Sequence, residues 1–132
     1  MFEAANALEA LYELLKLKRE DFLENRHYVS SAKYNLLVAI EACIDIAYHI
    51  ISKNKMRLPK DYADSFRVLN EYGVIDDNLA QRLILMARFR NRLVHIYWEV
   101  DDELIYEILK NNLSDIEEFV DSISKALRGK EK

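Results

Sequence analysis

From Asn78 to Trp98 the chain carries Arg82, Arg88, Arg90 and Arg92 and no acid, a segment of charge +4; nine acids and one lysine then follow between Glu99 and Asp121. A compact cationic strip on a protein of net charge −4 is a candidate anion site. Asn91 and His95 stand four apart in that strip. On a helix that is about 40° of rotation, so the two side chains can touch. An amide oxygen there would fix the imidazole tautomer, which proton transfer by a histidine requires; the plainer alternative is a solvent-facing pair with no task. On the same wheel Leu79, Leu83, Met86, Phe89, Leu93 and Val94 share an apolar arc, with Gln81, Arg88, Asn91, Arg92 and His95 opposite. Arg90 breaks the pattern by projecting into the apolar arc near Leu83 and Val94, with Tyr97 close by if the helix continues that far. A guanidinium on a core-facing stripe is costly unless it is paired. Either it reaches a carboxylate on another helix, or the arc meets a partner subunit. Arg90 and His95 lie about 140° apart on an ideal helix. They can serve one substrate atom only if the helix distorts or a second subunit brings its own pair.

The elements that must hold these residues are helical. Leu8, Leu11, Leu15 and Phe22 predict a first helix over 2–24. Val29, Leu36, Ile40, Cys43, Ala47 and Ile50 predict a second over 28–53, ended by the Lys53-Asn54-Lys55 run and the turn at Pro59. Asp61 can cap a short helix carrying Tyr62, Phe66 and Leu69, closed by Gly73 as its C′ residue. Asp76 caps a fourth over 78–96; Asp101 caps a fifth that buries Leu104, Ile108, Phe119 and Ile123, with Asp102 and Glu103 facing the dipole's positive end. The expected fold is all-α, an up-and-down four-helix bundle with one extra short helix. It forms a single domain over 1–128 with a frayed tail at 129–132.

Composition agrees. Hydrophobic residues at 51% are too many for a disordered chain of 132 residues. Two glycines and one proline leave too few turn formers for a sandwich or barrel. The lone Cys43 excludes a disulfide scaffold and a cysteine zinc site, and fits a reducing compartment. Its place on an apolar stripe makes it a buried, inert thiol. No charge-free stretch suffices to span a bilayer, and the N-terminal MFEAANALEA lacks a basic run followed by an apolar one. A cytoplasmic protein with no membrane partner is expected. Glycine-rich phosphate loops, His-Glu-x-x-His and clustered cysteines are all lacking, so the sequence offers no cofactor or metal site. Asp45 with His49, and His27, read as structural; Tyr12, Tyr34, Tyr48 and Tyr62 read as packed rings with wet hydroxyls. Trp98 is expected to pack at the end of the bundle, the alternative being a stacked base.

The run Arg88-Phe89-Arg90-Asn91-Arg92-Leu93-Val94-His95-Ile96-Tyr97 resembles the signature of the HEPN superfamily. It is most similar to the HepT-like branch, whose motif is Arg, four residues, His, one residue, Tyr. Here those positions are Arg90, His95 and Tyr97, with the frequent asparagine at Asn91. The resemblance extends through AIEACIDIAYHI (39–50), LNEYGVIDDNLAQRL (69–83) and Val100-Asp101. It implies a homodimeric, metal-independent endoribonuclease, the toxin of a toxin–antitoxin module. The antitoxin would be a minimal nucleotidyltransferase that adenylylates the motif tyrosine, Tyr97. Cleavage of RNA by its own 2′-hydroxyl needs a base for that proton and an acid for the leaving 5′-oxygen. One chain offers one motif histidine, and a two-fold axis offers two. Arg90, with Arg88 or Arg92, would stabilise charge on the phosphorane. The alternative is a non-catalytic helical subunit that binds a nucleotidyltransferase partner or a nucleotide.

Overall fold

The computed structural model describes residues 2–131, with side chains described over 5–128. The tail expected to fray at 129–132 lies outside the described side chains. Among the described residues there is no strand, and six α-helices follow one another: α1 (Phe2–Leu15), α2 (Arg19–Glu24), α3 (Arg26–Lys53), α4 (Tyr62–Glu71), α5 (Asp77–His95) and α6 (Asp102–Glu131). A 3-10 turn, Tyr97–Glu99, joins α5 to α6. The fold is all-α, as expected.

The expected single helix over 2–24 is broken at residues 16–18. The buried column of α1 is Ala7, Leu11 and Leu14, and the next position on it is Lys18. Continuing the helix would carry an ammonium toward the core, which is costly unless it is paired. Instead Lys18 turns extended (ψ 148°) and stays exposed, and Glu20 and Asp21 start α2 on the favourable end of its dipole. Asn25 then links α2 to α3, its Oδ1 accepting from the N–H groups of His27 (2.9 Å) and Tyr28 (3.3 Å).

The three expected caps form. Asp61 accepts from the Asp64 N–H at 2.7 Å, Asp76 from Leu79 at 2.8 Å and Asp101 from Glu103 at 3.0 Å. Gly73 closes α4 at φ +78°, a left-handed conformation that a side chain resists. Its N–H donates to the Asn70 carbonyl, and the Val74 N–H donates to that of Leu69.

The chain divides into two compact units, Met1–Ala42 with Arg90–Leu113, and Cys43–Phe89 with Ser114–Lys132. In the first, Leu11, Phe22, Leu36, Ile40, Leu93, Ile105 and Leu109 are buried, and the Phe22 and Tyr106 rings meet with centroids 5.6 Å apart. In the second, Ile51, Phe66, Leu69, Leu83, Ile116, Phe119 and Ile123 are buried, with Phe66 edge-on to Phe119 at 5.5 Å. Here the Arg57 guanidinium forks onto both oxygens of buried Asp64 (2.8 and 3.1 Å) and onto Glu71. The hydrogen bond from Arg57 holds the Asp64 carboxyl well below the usual carboxylate range against the opposing pull of burial, helped by the Lys60 N–H. Burial pushes the Cys43 thiol up to about 12, so it is inert as expected.

Five positions of the expected apolar pattern shift by one residue. Ile105 and Leu109 are buried while Leu104 and Ile108 are only half-buried, Ile51 replaces Ile50, and Ala7 and Leu14 replace Leu8 and Leu15. By length and composition, α3 is apolar enough to cross a membrane, contrary to the expectation that no stretch qualifies. That expectation rested on charge-free runs, and the charges of α3 are simply far apart. Its apolar column is one the fold buries, from Val29 and Leu36 to Ala47 and Ile51.

Candidate functional site

The strip proposed from the sequence lies on α5, whose register is set by burial of Leu79, Leu83, Met86 and Leu93. Of its four arginines, two are neutralised by carboxylates. Arg82 bonds Asp115 and Glu118, which keep its guanidinium more firmly protonated, Glu118 contributing most. Arg90 bonds Glu41 of α3, donating to Oε1 from Nη2 at 3.0 Å and from Nε at 3.3 Å. Arg90 therefore enters the apolar arc as expected, with its side chain 17% exposed, and pairs with a carboxylate on another helix. Arg88 and Arg92 are exposed; among the described residues neither forms an ion pair. The cationic face open to an anion is thus narrower than the +4 of the sequence.

Asn91 does not brace His95. Its Oδ1 accepts from Nη1 of Arg90 at 3.1 Å. The guanidinium offers a charged donor one residue away, and charge-assisted hydrogen bonds are the stronger ones. His95, the last residue of α5, is exposed, and among the described residues no side-chain hydrogen bond joins it to Arg90 or Asn91. The structure brings Arg90, Asn91 and Glu41 together and leaves His95 and Arg92 facing solvent.

After His95 the helix stops. Ile96 departs to φ −133°, ψ 43°, and Tyr97, Trp98 and Glu99 form the 3-10 turn. Tyr97 is 40% exposed and Trp98 77%, so the expectation that Trp98 packs at the bundle's end is corrected. Among the described residues, Trp98 makes no ring contact.

Sequence reading missed Lys33. Only 7% exposed, it holds its ammonium 4.6 Å from the centre of the Tyr97 ring and donates to the Tyr97 carbonyl at 3.4 Å. Asp102 supplies the counter-charge at 3.5 Å. A buried ammonium needs such company, and here it ties α3 to the turn beyond the motif. A signal existed, because Lys33 interrupts the apolar column of Val29, Leu36 and Ile40 just as Arg90 interrupts that of α5. Glu41 carried no comparable signal. It lies 49 positions from Arg90, and nothing local selects it from the other acids. Asp45 and His49 are both exposed.

Residues 4–123 match the family described as Ribonuclease HepT-like. The chain is 36% identical over 89 residues to the mRNA nuclease HepT of Shewanella oneidensis, covering 67% of each protein. It is 26% identical over 120 residues to the tRNA nuclease HepT of Aphanizomenon flos-aquae, covering 91% of this chain and 82% of that one. Among solved structures, a tri-AMPylated Shewanella oneidensis HEPN toxin in complex with its MNT antitoxin superposes with a TM-score of 0.77 at 28% identity, over 93% of this chain and 97% of that one. A toxin–antitoxin structure with AMP-PNP gives a TM-score of 0.79 at 27% identity, over 95% and 99%.

Proposed function

Because the chain belongs to the HepT-like ribonuclease family, we propose that it is an RNA-cleaving toxin whose activity a nucleotidyltransferase partner restrains. The observation that carries the reading is the end of α5, where an exposed histidine and an exposed arginine stand beside an arginine anchored by a carboxylate. In this reading Arg92, with Arg88 further up the helix, meets the phosphates flanking the scissile bond. Arg90, oriented by Glu41 and Asn91, stabilises the charge that builds on the phosphorane. His95 moves the proton. The attacking group is the 2′-hydroxyl of the RNA; it loses its proton to a base as its oxygen bonds phosphorus, and the departing 5′-oxygen takes a proton from an acid. The products are a 2′,3′-cyclic phosphate and a 5′-hydroxyl.

A single His95 cannot flank both oxygens at once, so the proposed active form is a homodimer that sets two copies of Arg90 and His95 along one cleft. Tyr97 is the proposed site of adenylylation. Its partial exposure suits a modifying enzyme, and phosphates added there would compete with RNA for Arg92.

The test is cleavage of RNA by the purified chain beside His95→Ala, with and without excess EDTA. Loss of one acid–base group costs on the order of 10²–10⁴ in rate, and the wild type should cut in EDTA and leave cyclic phosphate ends. An unaffected His95→Ala, or activity abolished by EDTA, refutes the mechanism. No cleavage by the wild type returns the chain to the non-catalytic reading.

A further inference from the structure

We propose that Trp98 is a nucleobase-stacking residue that helps to seat the RNA substrate; the proposal rests on the nuclease reading and names a substrate contact outside its motif. Three observations carry it. Trp98 is 77% exposed, far more than a large indole ordinarily leaves to water in a folded chain. Its display is built. Lys33 binds the carbonyl and the ring face of Tyr97, which fixes the turn one residue earlier and leaves the indole outward at low conformational cost. It also follows three residues behind exposed His95, with Arg92 exposed in the last turn of the same helix.

An exposed aromatic face in the same short stretch of chain as an exposed arginine suits single-stranded nucleic acid, in which phosphates meet the cation and a splayed base stacks on the ring. A second copy of the chain is the less favoured occupant, because the centres of protein interfaces are depleted of charge and the chain on either side of this indole carries exposed Arg92 and Glu99. The acids that follow Trp98 are largely engaged: Asp102 with Lys33 (3.5 Å), Glu103 with Arg19 (3.2 Å), and Asp101 in capping α6. Glu99 is left as the exposed acid next to the indole.

The chain contains one tryptophan, so its intrinsic fluorescence reports this position alone. The experiment titrates the intact protein with short 2′-O-methyl oligonucleotides, which lack the attacking hydroxyl and remain whole. The expected result is emission of a water-exposed indole, quenched saturably by the oligonucleotide. Trp98→Ala should weaken RNA binding about tenfold, raising KM with little change in kcat, and Trp98→Phe should restore most of the affinity where Trp98→Leu does not. The proposal is overturned if saturating oligonucleotide leaves the emission unchanged, or if Trp98→Ala and Trp98→Leu bind RNA as the wild type does. It is equally overturned if the emission is blue-shifted and depends on protein concentration without RNA, which would mean that a second copy covers the ring. A chain that cleaves RNA without quenching refutes this contact and spares the nuclease reading. Saturable quenching in a chain that cleaves nothing does the reverse.

Discussion

Glu41→Gln and Arg90→Ala, separately and together, distinguish an arginine that holds the fold from one that serves the reaction. Both N–H groups that Arg90 gives to Glu41 converge on one oxygen, Oε1, so the pair lacks the parallel fork of the strongest arginine–carboxylate contacts. Glu41 is also 43% exposed. A pair of that kind contributes about 1 kcal/mol or less to stability, equivalent to roughly 3–5 °C in Tm for a domain of this length. Glu41→Gln keeps an oxygen acceptor and should fall at the lower end. Arg90→Ala also loses the packing of its half-buried stem and should cost somewhat more. Removing a cation from the transition state is a larger effect, on the order of 10²–10³ in rate, or about 3–4 kcal/mol. The expected pattern is a small Tm change with a loss on the order of tenfold in cleavage for Glu41→Gln, and a loss on the order of 10²–10³ for Arg90→Ala. The double variant should be no worse than Arg90→Ala alone, since Glu41 acts only through Arg90. Thermal melts and initial rates on a fluorogenic RNA measure both. Wild-type cleavage by Arg90→Ala refutes its role, and a double variant that multiplies the two losses refutes the idea that Glu41 works by aiming it.

Co-expressed with a nucleotidyltransferase encoded beside it, the chain should gain mass in multiples of an adenylyl unit, and Tyr97→Phe should abolish the gain; a neutralised but unmodified chain would mean steric inhibition. Sedimentation at micromolar concentration should show a dimer, and a strict monomer contradicts the two-histidine cleft. Asp64 is held below its ordinary value of 3.8 by Arg57. Its contribution to stability is therefore complete above that value and drains away as pH falls toward the folded-state value. In Asp64→Asn the protein should be less stable at neutral pH, and its stability should fall less steeply below about pH 4. Urea melts across that range check this, and a parallel pH dependence in both proteins would rule it out.

Helix termini were legible because aspartate caps and a left-handed glycine act locally. The acidic residues at 61, 76 and 101 needed only the next turn to be interpreted. Facing positions in α6 were harder, since Leu104-Ile105 and Ile108-Leu109 are adjacent apolar pairs and helical periodicity cannot choose which member turns inward. The break after Leu15 has no proline or glycine to announce it. It becomes visible only once Leu11 and Leu14 are known to be buried and Lys18 is seen to follow them on the column. At the site, Arg90 betrayed itself by its angle on the wheel, but its partner Glu41 was fixed by tertiary packing. Asn91 was assigned to the wrong neighbour for the same reason. The pairing with His95 satisfied helix geometry, and the competing donor, one residue away, required knowing which way the guanidinium had been pulled.

The close of α5 inside the motif separates two kinds of selection. The Ile96 N–H makes the last helical bond, to the Arg92 carbonyl at 2.8 Å, and the Glu99 N–H bonds back only as far as Ile96. Segments held by such short-range bonds open locally at a fraction of the free energy needed to unfold the whole. Substitutions between Ile96 and Glu99 therefore fall lightly on the buried core. A lineage under pressure to escape an inhibitor, or to change the nucleic acid it recognises, can rewrite this turn while Leu83, Leu93 and Ile105 stay as they are. Lys33 marks the boundary of that freedom. Its buried ammonium depends on the carbonyl and ring at 97 and the acid at 102, so the path of the turn's backbone is constrained even where side chains such as that of Trp98 are exchanged.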